Sequence, residues 1–225
     1  MFDAIASSYD RLNHLLSAGF DRRWRRRAVR ALELSGRERV LDMCSGTADL
    51  AIEAATAPAG HARVVIGIDF AGEMLRLGLA KVRGAHLHGR VCLARGDAMR
   101  VPCADASFDA AMVAFGIRNV IDPAAACAEF ARVLHPGGRL AILEFGSPST
   151  PGLRELYNWY FRVVLPRVGR LISRHGDAYA YLPASVAEFP TPERFSRILQ
   201  QSGFGHIRCE ALTMGVVYLY LAERV

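Results

Sequence analysis

The chain has 225 residues, 52% hydrophobic and 22% charged, with a net charge of +6. This size and balance suit one globular domain with a full core and exclude a disordered chain. No apolar run reaches the roughly 18 residues that suggest a membrane span. Cations are nearly all arginine, with Lys81 the sole lysine, and the five cysteines (44, 92, 103, 127, 209) are scattered without Cys-x-x-Cys spacing. Together with an N-terminus that lacks the basic-then-apolar secretory pattern, this predicts reduced thiols in a cytoplasmic protein.

Two helices are predicted first, over residues 3–16 and 20–34, separated by Ser17-Ala18-Gly19. The second carries Arg22, Arg23, Arg25, Arg26, Arg27 and Arg30 around Trp24. That cluster reads as a solvated helix face, or as a surface for anionic lipid or a nucleic-acid backbone. Strands and helices then alternate: strand 40–42, helix 49–57, strand 63–69, helix 73–82, strand 90–94, strand 108–115, helix 123–134 and strand 139–145. His135-Pro136-Gly137-Gly138 is expected to end the helix before the last of these. Near-continuous apolar strands separated by helices predict a parallel sheet buried on both faces. The alternation breaks at 153–172, an aromatic and aliphatic segment, followed by a helix over 179–188. It resumes with helix 191–202 and strands 206–212 and 216–223, the last antiparallel.

The stretch Asp42-Met43-Cys44-Ser45-Gly46-Thr47-Ala48-Asp49 predicts a strand, a tight turn and a helix N-terminus, a corner that brings backbone N–H groups to a ligand. A nicotinamide loop would carry Gly-x-Gly-x-x-Gly, and this turn has one glycine, Gly46. S-adenosylmethionine fits better. An acid at Asp42 suits its amino group, and Asp69 at the end of the second strand suits its ribose hydroxyls, although Asp69 with Glu73 could equally be a helix cap. Asp97, after the third strand, suits the adenine amino group. Ser45 and Gly46 of the loop and Phe70 after Asp69 are further candidates for the cofactor site. Three acids at successive strand ends beside one small-residue loop point to the class I methyltransferase layout, a Rossmann-like α/β fold. No metal site is expected.

Two further stretches bear on the family. Residues 9–24, Tyr9-Asp10-Arg11-Leu12-Asn13-His14-Leu15-Leu16-Ser17-Ala18-Gly19-Phe20-Asp21-Arg22-Arg23-Trp24, resemble the N-terminal signature of the ubiquinone/menaquinone biosynthesis C-methyltransferases. Arg132-Val133-Leu134-His135-Pro136-Gly137-Gly138-Arg139-Leu140-Ala141-Ile142-Leu143-Glu144-Phe145 resembles their second signature. Phe115-Gly116-Ile117-Arg118-Asn119-Val120 and Asp177-Ala178-Tyr179-Ala180-Tyr181-Leu182-Pro183 fit as well, in order along essentially the whole chain. The resemblance implies methyl transfer from S-adenosylmethionine to a ring carbon of a polyprenylated quinol, with demethylmenaquinol the leading substrate. It implies Thr47, Asp69, Asp97 and Ala98 as cofactor residues. It also implies a seven-stranded, mostly parallel sheet in a single domain, with a helical cap over 1–35 and a helical insertion over 148–190 above the substrate.

Arg118 is expected to stabilise the quinolate and Asn119 to orient a ring oxygen, while Tyr9, Asp10, Asp177 and Tyr181 are candidates to close the site or accept a proton. The family loop usually reads Gly-Gly-Thr-Gly-Asp, and here Ser45 and Ala48 replace two glycines. Ala48 is expected to place a methyl near the ligand and lower affinity. Ala114 stands where relatives carry a serine, so that side-chain contact with the cofactor is lost. The expected partners are the quinol and, through the Arg22 to Arg30 cluster, the inner membrane face. A homodimer is an open alternative, and nucleic acid is not expected. Rival readings are a sterol or other small-molecule methyltransferase and a non-catalytic S-adenosylmethionine-binding module.

Overall fold

The computed structural model describes residues 17, 19–148, 152, 155, 159 and 184–225. Its frame is a seven-stranded sheet: β1 (Arg39–Met43), β2 (Val64–Asp69), β3 (Val91–Arg95), β4 (Phe108–Ala114), β5 (Leu134–Phe145), β6 (Phe204–Leu212) and β7 (Val217–Arg224). The order is β3-β2-β1-β4-β5-β7-β6. The first five strands pair in parallel, and β7 runs antiparallel to both β5 and β6. The longer helices among the described residues are α1 (Phe20–Ala31), α2 (Asp49–Thr56), α3 (Gly72–Gly84), α4 (Pro123–Val133) and α5 (Pro192–Gln201).

Strand periodicity sorts the core into two layers. Val40, Val65, Met112 and Leu143 face one side, packed with Trp24 of α1, Ala54 of α2 and Val82 of α3. Their neighbours Leu41, Val113 and Ile142 face the other, packed with Phe130 of α4 and Phe195 of α5. Burial on both faces is why these strands read as apolar runs. Local chemistry sets the later helix starts. Asp122 Oδ1 accepts from the Ala124 and Ala125 amides ahead of Pro123, and Thr191 Oγ1 accepts from Arg194 N ahead of Pro192.

One boundary differs in kind. Leu134 is not the last residue of α4 but the first of β5, paired with Phe108, and the next pairing is Ala110 with Arg139. His135-Pro136-Gly137-Gly138 therefore bulges out of a strand that resumes beyond it, instead of separating helix from strand. Likewise α1 ends at Ala31, short of 34, where Glu33 takes a φ of 46°. Of the predicted helix over 179–188, the described residues 184–188 are helical. The expected helix over 3–16 and the segment 153–172, apart from residues 155 and 159, lie outside the described residues.

The sheet reverses its winding between β1 and β4. Ligands of such sheets settle outside the carboxyl ends of the strands at that point.

Candidate cofactor and active site

A cavity of about 410 Å³ lies at this switch point, walled by the loops after β1 to β4. Gly46, Asp69, Phe70, Asp97, Ala98 and Ala114 line it, and Asn119 closes one side. Asp69 organises the floor: its Oδ2 accepts from Gly46 N at 2.8 Å and its Oδ1 from Ala71 N at 2.8 Å. One carboxylate thus ties the turn after β1 to the start of α3, which has no side-chain cap of its own. Asp97 Oδ1 accepts from Met99 N at 2.9 Å, fixing the loop after β3. Phe70 and Ile121 form an apolar rim, 69% and 91% exposed.

Asp42, Ser45 and Thr47 do not form the wall. Asp42 lies beneath the turn, 1% exposed, and its Oδ2 has no hydrogen-bond partner among the described residues. Burial pushes its carboxyl up to about 7; the Ser45 hydroxyl beside it pulls the other way, and the Asp69 charge adds to the rise. Thr47 Oγ1 accepts from Lys81 Nζ at 2.9 Å. The Ala48 methyl is fully buried in the core and does not face the cavity, so the expected steric conflict with a ligand does not arise. Ala48 does take the left-handed φ of 67° that suits glycine.

The turn after β4 is built differently. Arg118 and Asn119 are adjacent in the short 3₁₀ turn Ile117–Asn119 but face different surroundings. The Arg118 guanidinium is buried away from the cavity wall. It donates to Glu144 Oε1 at 2.7 Å and to the Phe115 carbonyl at 2.6 Å, and it lies 5.4 Å above the Phe145 ring. Glu144 Oε2 accepts from the Arg118 amide in return. Asn119 faces the cavity, and its buried Oδ1 has no partner among the described residues. Tyr9, Asp10, Asp177 and Tyr181 lie outside the described residues.

Two wall residues carry little signal in the sequence. Cys44 and Phe115 both take positive φ, 57° and 59°. Gly116 allows the two loops to meet, since a Cβ there would stand 2.2 Å from Cys44 Cβ. Burial raises the Cys44 thiol far above its ordinary value.

The ubiE/COQ5 methyltransferase family model matches residues 1–224, across both the sheet and this cavity. The chain belongs to that family. This methyltransferase is 49% identical over 221 residues to a ubiquinone/menaquinone biosynthesis C-methyltransferase of Syntrophotalea carbinolica, covering 98% of this chain and 91% of the relative. It is 43% identical over 225 residues to a demethylmenaquinone methyltransferase of Deinococcus radiodurans, covering 100% of this chain and 91% of that one. Among solved structures, a SAM-dependent methyltransferase of Thermotoga maritima superposes with a TM-score of 0.67 at 17% identity, covering 100% of this chain and 98% of that one; this likeness concerns the fold alone.

The residues present fit S-adenosylmethionine, the methyl donor of such enzymes. Asp69 and Asp97 offer carboxylates at the wall, and Gly46 brings bare backbone to it. The rival reading of Asp69 as a helix cap is half met: it binds an amide at the start of α3, and it also faces the cavity.

Proposed function

We propose that this methyltransferase transfers a methyl group to a ring carbon of a polyprenylated quinol, converting demethylmenaquinol to menaquinol. The observation that carries the reading is the cavity at the switch point, in a chain of the ubiE/COQ5 family, with Asp69, Asp97 and Asn119 converging on it. Bound S-adenosylmethionine supplies an electrophilic methyl on a sulfonium. Asp69 accepts hydrogen bonds from ribose hydroxyls and Asp97 from the adenine amino group, while the Gly46 backbone lets the chain approach the ligand closely. A quinol ring carbon becomes nucleophilic as its hydroxyl gives up a proton, so the protein must orient the ring, exclude water and take that proton. Asn119 orients the ring oxygen. Arg118, locked to Glu144, positions the turn that carries Asn119. Asp10 and Asp177, in segments outside the described residues, are the candidate proton acceptors, and Tyr9 and Tyr181 are further candidates from the same segments.

Incubation with labelled S-adenosylmethionine and reduced demethylmenaquinone should give labelled menaquinol. Cofactor binding without transfer to this quinol or to the corresponding benzoquinol would overturn the reading in favour of a binding module.

The basic face of α1 supports a finer proposal, peripheral contact with anionic lipid. Arg25 pairs with Asp21 and Asp49, Arg26 with Glu53 and Arg27 with Glu210, which neutralises half of the cluster. Arg22, Arg23 and Arg30 remain exposed on the helix surface. Sedimentation with phosphatidylglycerol vesicles at low salt should capture the protein, and substituting these three arginines by glutamine should release it. Equal recovery with and without them would defeat the proposal.

A further inference from the structure

Lys81 stands out twice, once in composition and once in space. The chain has 28 basic Lys and Arg residues and Lys81 is the single lysine. Its side chain reaches from α3 to the turn after β1, where Nζ donates to Thr47 Oγ1 at 2.9 Å and to Asp49 Oδ1 at 2.6 Å. These two acceptors flank Ala48, the residue held at φ 67°, ψ 20°. An L residue with a Cβ resists that conformation. The helix that begins there, α2, has no side-chain cap. One turn earlier on α3, Gly78 leaves the space that the Ala48 methyl uses: a Cβ on Gly78 would stand 3.3 Å from Ala48 Cβ and 2.9 Å from Leu93 Cδ1. Helix α3 thus receives the methyl at Gly78 and spans the strained residue with Lys81. The other Asp49 oxygen lies 3.3 Å from Arg25 Nη2, which carries the network on to Asp21 of α1.

We propose that Lys81 is a positioning residue for the cofactor turn. By bridging residues 47 and 49 it holds Ala48 in its left-handed conformation, and with it the Gly46 amide that binds Asp69. The proposal rests on the assignment of this cavity to S-adenosylmethionine. It also explains why arginine does not serve here. Two acceptors on either side of one residue suit a compact ammonium with tetrahedral donors, whereas a guanidinium is a longer, planar fork.

The test reads affinity directly, by calorimetry with S-adenosylhomocysteine on the full chain. Lys81→Met should raise the Kd about tenfold, with kcat at saturating donor within about twofold of the parent. Lys81→Arg should not restore the affinity. In an Ala48→Gly background the same Lys81→Met change should cost only about twofold, because glycine holds the left-handed conformation unaided. Acetylating the native protein, whose side-chain amines number one, should reproduce the loss without any substitution. An unchanged Kd in Lys81→Met, full affinity after Lys81 acetylation, or an equal loss in the glycine background would each overturn the clamp. Asp69→Asn separates the clamp from the cavity assignment. If it too leaves Kd unchanged, the cavity assignment fails; if it weakens binding while Lys81→Met does not, the clamp alone fails.

Discussion

The two sides of the cavity are held by opposite means. On the cofactor side, one carboxylate both braces the loops and faces the cavity: Asp69 binds the Gly46 and Ala71 amides and forms part of the wall, with Lys81 bracing the turn after β1 from α3. On the side of the turn after β4, bracing and contact are divided. Arg118 and Glu144 are 6% and 0% exposed at the side chain and hold the turn from behind, while Asn119 alone presents a polar group. A change at Asp69 should therefore act on binding directly. A change on the other side should act through stability and position.

The sharpest way to break this contrast is at the buried pair. Glu144→Ala leaves the Arg118 guanidinium buried without its carboxylate and should destabilise the fold by about 3–5 kcal/mol in urea unfolding. Arg118→Ala should likewise collapse quinol methylation while S-adenosylhomocysteine binding is retained. Unchanged turnover would show that the turn does not depend on the pair.

Asp42 brings a pH dependence to the cofactor side. Burial raises its carboxyl from an ordinary 3.8 to about 7, so the folded chain keeps a proton that the unfolded chain has already released. Stability from this group is full below the unfolded value, falls as pH rises through the interval, and levels off above about 7. The whole effect is about 4 kcal/mol by linkage. Asp42→Asn removes this component, so the variant should gain on the parent between about pH 4 and 7 in urea titrations, with a constant difference above that. Parallel curves would mean that Asp42 ionises freely.

A smaller pair of effects completes the comparison. Asp69→Asn should raise the Kd for S-adenosylhomocysteine about tenfold, whereas Asn119→Ala should leave that Kd unchanged and lower turnover about tenfold. The contrast blurs if both variants shift Kd alike.

The sheet and its order of elements were legible because strands buried on both faces must be apolar, and because the acids Asp42, Asp69 and Asp97 mark where three of them end. Gly46, Asp69 and Asp97 reach the cavity from those strand ends as the sequence suggests. What was hidden depends on partners far along the chain. Nothing around Arg118 announces that Glu144 will take its charge, and nothing around Thr47 announces Lys81. Asp42 looked like a ligand group because its spacing is right, but the pleat of β1 directs it beneath the turn. In sequence the bulge at His135-Pro136-Gly137-Gly138 resembles punctuation between elements, since turn residues do not reveal whether a strand resumes the same pairing beyond them.

The aromatic packing behind the cavity gives the molecule an optical signal of its own. Trp24 on α1 is buried, with its indole N–H donating to Thr213 Oγ1. Its ring centroid lies 6.1 Å from that of Phe115, a residue of the cavity wall, and 6.3 Å from that of Phe145 beneath Arg118. The second tryptophan of the chain, Trp159, is 54% exposed. Emission from the two indoles should therefore separate by wavelength, the blue component from Trp24 and the red from Trp159. Movement of the wall as the cavity fills would register in the blue component, without any attached dye.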